Sequence, residues 1–478
     1  MNNRLLASAL IIPLLAACAS PGPASISATN TTEPAKTVTP TTAVEPASYS
    51  SSLLATRWDQ KIRHHLLLPV NPANGEPIPG YAPIDLGVNY YHAFSPNCKI
   101  LAIISYLNDS PTDPLLHIID LVTWREKTLN LELTGWSNTI TFSPDSASIA
   151  AAFTYRDSNL LVIDLEQNTV RAQTPVDFSP RFIKFTRDGA HLMAYGRVLV
   201  DRFTENEHSE GDARVALFNA NDLSLLWSAD ASGVRDGIYP VDAGKATNIH
   251  QPGNAIYLSP GVIFAPEADK LYAVHADGEK LTSVDFASRS MITLEIAPEI
   301  SWFERFLTFG TGIARAKVGN GSSIAAVISP DGKIIYTTGM KHEAIQQAGS
   351  WEFKSTPLGL QAIRAADGRL LFEKDVFAEQ ISMAADGSRL FLSGWRQGDS
   401  YGSASTDIFD LRSSEFSLHL TGVELSPAQR LDGSLVLVSA ITEPNSGEAT
   451  RMSLHAYDSG EMIAEWISPT YAGWITSP

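Results

Sequence analysis

The residues in this chain best suited to chemistry are acids that return at regular places. The fourth position of one short phrase is held in turn by Asn97, Asp145, Asp188, Glu267, Asp331, Asp386 and Asp432. The phrase reads FSPNCKIL at 94–101, FSPDSASI at 142–149 and FTRDGAHL at 185–192, then FAPEADKL at 264–271, ISPDGKII at 328–335, MAADGSRL at 383–390 and QRLDGSLV at 429–436. Carboxylates in series could act as general acids or metal ligands, but their setting assigns them to turns. In SPDG, Pro presets φ at the first corner of a type I turn. Asp bonds its own backbone, and Gly takes the positive φ that ends a hairpin.

The other reactive side chains form no working set. His64 and His65 are adjacent, which puts them on opposite faces of a strand and forbids joint ligation there. His92, His250, His275 and His342 are scattered. No Cys-x-x-Cys-His site, zinc spacing, Gly-x-Ser-x-Gly elbow, phosphate loop or dinucleotide fingerprint occurs. No catalytic residue, metal ligand or cofactor is assigned. An enzyme can still assemble a site from scattered loop residues, so an enzyme stays as the alternative.

A strand-like segment ending in a polar residue follows each phrase: LHIID at 116–120, LLVID at 160–164, VALFN at 215–219, LTSVD at 281–285, LQAIR at 360–364, DIFD at 407–410 and LHAYD at 454–458. The runs between, such as SIAAAF and KIIYTT, suit a pleated, buried surface. Each repeat thus reads as two hairpins, strands a–b and c–d. Recurrence every 40–50 residues or so, widened by insertions, is the mark of a β-propeller. The expected fold is all-β, with seven four-stranded antiparallel blades over 93–478. Residues 53–92 are read as an N-terminal brace or extra strand.

This pattern resembles the seven-bladed propellers of the WD40 and YVTN type. The Trp-Asp dipeptide and the Tyr-Val-Thr-Asn tetrapeptide of those repeats are missing, so the resemblance is one of architecture. NANDLSLLWSAD at 219–230 and DSGEMIAEW at 458–466 look like the blade ends of quinoproteins.

The amino terminus concerns location. Arg4 precedes a short apolar run from Leu5 to Ala17, too short to span a bilayer. The run ends in Leu15-Ala16-Ala17-Cys18, which resembles the bacterial lipobox. The resemblance implies a signal peptide at 1–17, lipidation of Cys18 and, with Ala19 rather than Asp next, outer-membrane sorting. Three acyl chains would anchor the chain stably, at about 0.8 kcal/mol per buried CH₂. Residues 18–52 continue as a Ser/Thr/Pro-rich linker that cannot offset its ordering entropy. With Cys18 lipidated, Cys98 has no intrachain partner and is read as a semi-buried structural thiol. Net charge is −17, which does not advertise nucleic-acid binding.

Strand parity orders the insertions. The a–b and c–d turns share one face of a propeller, and the b–c and d–a connections share the other. The long segments 201–214, 229–255, 297–322, 341–358 and 395–406 are all b–c or d–a connections, so they build up one face. They carry Arg235, Tyr239, Trp302, Phe303, Arg305, Trp351, Trp395, Arg396 and Tyr401, the residue types that anchor interfaces. The competing reading is that the loops pack on one another over the channel. The expected function is a non-enzymatic envelope lipoprotein that binds a protein or polymer on this face. The alternative is a lactonase-like or quinoprotein-like enzyme or redox subunit with its site at the channel mouth.

Overall fold

The computed structural model describes residues 52–478 apart from 156, 201–206, 241–254, 267, 299–320, 348–349, 396–403, 443–448 and 477–478. Among the described residues there is no helix. Each phrase is the turn between the first two strands of a four-stranded antiparallel path.

The turns form as their chemistry predicts. At 142–149 Ser143 Oγ donates to Asp145 Oδ1 (2.6 Å), which also accepts from the Ala147 N–H (3.0 Å). The Ser148 N–H returns to Ser143 Oγ (2.9 Å). The same three bonds recur around Thr186 and Asp188 and around Ser329 and Asp331. The following residue takes the left-handed conformation, as at Gly332 with φ 70°. At 94–101 that place falls to Cys98, with φ 54°.

Blade 1 comprises Asn89–Phe94, Ile100–Tyr106, Leu115–Asp120 and Arg125–Asn130. Blade 2 runs from Trp136–Phe142 to Thr169–Val176, and blade 3 from Ser179–Phe185 to Leu225–Asp230. Blade 4 spans Gly261–Phe264 to Ser290–Glu295, and blade 5 Gly321–Ile328 to Arg369–Lys374. Blades 6 and 7 span Gln380–Met383 to Glu415–Thr421 and Ser426–Gln429 to Met462–Ser468. The seven blades expected from the seven phrases are all present.

One further four-stranded sheet completes the ring, and it is built from both ends of the chain. Ala472–Ile475 pairs with Leu53–Asp59, followed by His64–Val70 and Ile84–Asp85. It carries no phrase, because its first two strands come from opposite ends of the described chain and no short turn joins them. One face packs Leu54 and Leu67 on Leu101 and Ile103 of blade 1. The other packs Leu53 and Leu68 on Val436 and Leu454 of blade 7.

An apolar cluster lies between each sheet and the next. Second strands are buried on both faces and are correspondingly apolar throughout, as in Ser148–Thr154. Outer strands alternate, as in Thr169–Val176, because only one side meets a neighbour. Toward the long-loop face, polar latches tie sheet to sheet. Asn138 Nδ2 donates to Pro180 O (3.1 Å), Thr338 Oγ1 to Ala378 O (3.0 Å), and the Leu425 N–H to Thr406 Oγ1 (2.9 Å).

Candidate functional site

The described ends of the long connections leave their blades on one face, and one connection crosses the channel mouth. After blade 3 the chain forms Gly237–Pro240 and Ala255–Ser259, an antiparallel pair. The second of these runs parallel to the innermost strand of blade 5, with Tyr257 opposite Gly321 and Ser259 opposite Ser323. Two strands therefore sit on the channel side of blade 5 at its long-loop end. Blade 5 also sends up a hairpin. Its second strand, Ile334–Gln347, outruns the blade and pairs with Ser350–Pro357, from Met340 opposite Pro357 to Gln347 opposite Ser350.

What holds the crossing in place is a buried ion pair. The innermost strand of blade 3 is bulged between Pro180 and Phe182, and a bulge re-aims the extra side chain. That side chain is Arg181, whose guanidinium bonds Asp236 Oδ1. The Asp236 side chain is 0% exposed and that of Arg181 19%. Burial acts to lower the Arg181 pKa, but the Asp236 carboxylate together with Tyr257 and Tyr195 more than offsets it and the net shift is upward. Burial, with the Asp236 charge second, pushes the Tyr195 hydroxyl well above its ordinary value. Gly237 follows with φ 116°, and a Cβ there would meet Ser209 Oγ at 1.9 Å, so only glycine fits. Arg197 Nε, Ser209 Oγ and Asp236 Oδ2 are buried without a hydrogen bond.

Two of the residues singled out in the sequence meet here. Arg235 is exposed and lies over the Tyr239 ring, 4.0 Å from its centroid. Tyr239 itself is 4% exposed. Its hydroxyl accepts from the Asp236 N–H (2.9 Å) and donates to Gly211 O (3.1 Å), and it packs with Leu258 and Ala276. Tyr239 thus fills the small core under the crossing, and Arg235 is the surface above it. Trp351 lies in the blade 5 hairpin opposite Gln346, and Trp395 ends the second strand of blade 6 opposite Ala404. Trp302, Phe303, Arg305, Arg396, Tyr401 and Cys18 lie outside the described residues.

One constellation escaped the sequence reading. In blade 1, Ser105 Oγ is 2.7 Å from His117 Nε2, and His117 Nδ1 is 2.5 Å from Glu126 Oε1. The order matches a nucleophile, base and orienting acid. However, Ser105 is 0% and His117 2% exposed, so no substrate reaches the hydroxyl, and the chain fastens three strands together. Blade 4 repeats the device with His275, Thr282 and Thr293 at 2.8 and 2.9 Å. Among the described residues no three His, Cys, Asp or Glu side chains converge as a metal site.

The phrase carboxyls are accounted for as well. Bonds from Ser143, Thr186 and Ser329 hold Asp145, Asp188 and Asp331 below the usual carboxylate range. Cys98 departs from expectation. It is disulfide-bonded rather than a lone thiol.

No protein-family model and no curated protein matches the chain. Solved structures do. Dihydro-heme d1 dehydrogenase NirN, in complex with DHE, aligns with a TM-score of 0.51 at 11% identity, covering 91% of this chain and 76% of that one. The chain is a β-propeller. A eukaryotic initiation factor aligns with a TM-score of 0.49 at 12% identity, over 90% of this chain and 99% of that one. The Cps50 (Swd1) propeller domain of Myceliophteria thermophila reaches 0.40 at 11%, over 78% and 93%. At such identities the likeness is one of fold alone.

Proposed function

We propose that this chain is a lipid-anchored binding propeller of the bacterial envelope, sorted to the outer membrane, with a protein or polymer partner on its long-loop face. The observation that carries the reading is the opposition of the two faces. The first described residue, Ser52, accepts from the N–H of Leu431 (3.2 Å), inside the phrase of blade 7. The chain therefore enters the ring on the short-turn face, and the long connections stand on the other. A lipid on Cys18 would tether the short-turn side through the 19–51 linker, with a root-mean-square reach of roughly 30 Å. The long-loop face would then be free to engage a partner away from the bilayer. The exposed Arg235, held on the Tyr239 ring, is a preorganised contact of the kind that interfaces favour.

The second reading is an enzyme or redox subunit, lactonase-like or quinoprotein-like. A dehydrogenase shares the propeller fold at 11% identity. In this chain the site would have to be reached beside the strands that cross the channel mouth.

The test is affinity purification of the tethered chain from crosslinked envelopes, beside turnover assays on the purified protein. A partner captured by the native chain and lost from Arg235→Ala supports the binding reading. Turnover without a captured partner supports the enzyme.

A further inference from the structure

The two ends of the described chain meet in the closing sheet, and a histidine sits at that seam. Four residue pairs join the two ends of the chain: Leu54–Ile475, Ala55–Trp474, Thr56–Gly473 and Arg57–Ala472. The Trp58 N–H donates to Tyr471 O (2.8 Å), extending the contact by one residue. On the neighbouring strand, opposite Trp58, stands His65. Three aromatic rings from three different segments surround it edge-on. Trp58 is 4.9 Å away, Tyr90 of blade 1 is 5.4 Å, and Tyr471 of the C-terminal segment is 5.7 Å. Its Nδ1 is buried and makes no hydrogen bond.

The groups around this ring offer a second proton nothing. Trp58 and Tyr471 bring aromatic surface. The Tyr90 hydroxyl is 2.9 Å from Thr56 Oγ1, and burial pushes its pKa up to about 12, so it carries no charge to offer. The nearest charged partner on its own strand is His64, which faces Asp85 at 2.9 Å and acts on His65 as a like charge. From blade 1, His92 lies two residues beyond Tyr90, half-buried, with Nε2 3.4 Å from Thr476 O.

We propose that the ring seam is acid-sensitive: protonation of His65 loosens the closing sheet from blade 1 and from the C-terminal strand, while the other blades stay closed. An imidazolium at this place loses water and gains no acceptor for Nδ1–H. Attraction to aromatic faces would offset part of that loss, yet burial, with His64 second, lowers the His65 pKa from the ordinary 6.5 to about 4. The folded pKa is thus depressed, so the opened state takes up the proton first. Seam stability is fully present above the ordinary histidine value and is lost as pH falls from about 6.5 toward 4.

Hydrogen exchange of the full chain, corrected for the intrinsic pH dependence of exchange, tests this. Peptides covering 53–59 and 471–476 should lose protection by up to about tenfold per pH unit between 6.5 and 4. Ser148–Thr154 of blade 2 should hold its protection over the same range. In His65→Gln the differential loss at the seam should vanish, and His65→Phe is the second variant if the first does not fold. Seam and blade 2 losing protection in parallel, or a folded His65 variant with the native acid response, would overturn the proposal.

Discussion

Arg181 leaves its strand at a β-bulge and closes on Asp236, fifty-five residues further along the chain. That one contact fixes where the connection after blade 3 crosses the channel mouth. It also sets Gly237–Pro240 beside Ser209 and beneath Arg235.

Breaking the pair from one side should therefore be expensive. Asp236→Ala leaves a buried guanidinium without its partner, and such losses run to about 3–5 kcal/mol. Replacing both residues with apolar side chains of similar size, Arg181→Met with Asp236→Leu, should recover most of the loss. Urea denaturation of the two variants, with unchanged slope, is the check.

Core and face substitutions should separate. Phe142 is buried between blades 1 and 2, and Phe142→Ala should cost about 3–5 kcal/mol of stability. Trp302→Ala, Trp351→Ala and Trp395→Ala should leave the melting temperature near native. Under the proposed function each should lose about 2 kcal/mol or more of partner binding. Melts paired with pulldowns would expose a packed lid instead, if the three variants melt early and bind normally.

The phrase turns should add to acid sensitivity in the same direction, at lower pH. Asp145, Asp188 and Asp331 are held below their ordinary values, first by the hydroxyl bonds from Ser143, Thr186 and Ser329. Their contribution is present above the ordinary carboxylate value and is lost as pH falls through the depressed folded values. Ser329→Ala should raise the Asp331 carboxyl toward its ordinary value and leave Asp145 where it is. Carboxyl titration by NMR reads both.

Under the proposed function Cys18→Ser should abolish membrane association while the melt stays native.

Much of this architecture was legible because its chemistry is local. Ser143, Asp145 and Ser148 lie within six residues of one another, so the turn they make is written in the phrase. The same holds for Asp120 and Asp410, which accept from backbone N–H groups two and three residues on. Contacts set by register were not legible. The closing sheet has no phrase, and its inner strand pairs with a segment at the other end of the chain. The Arg181 bulge exists only relative to the strand ending at Arg197. Ser105, His117 and Glu126 meet diagonally across three strands. Loop composition showed that Arg235 and Tyr239 belong together on one face. It did not show that the tyrosine would be spent as core beneath the arginine.

The most direct measurement of the central claim compares the two faces of the lipidated, full-length chain. Partner capture from crosslinked envelopes would be quantified for Arg235→Ala on the long-loop face and for Lys333→Ala, which is exposed in the phrase turn of blade 5. The account predicts loss of capture with Arg235→Ala and native capture with Lys333→Ala, both proteins melting as the native chain does. Loss with Lys333→Ala and native capture with Arg235→Ala would place the partner on the short-turn face and contradict it.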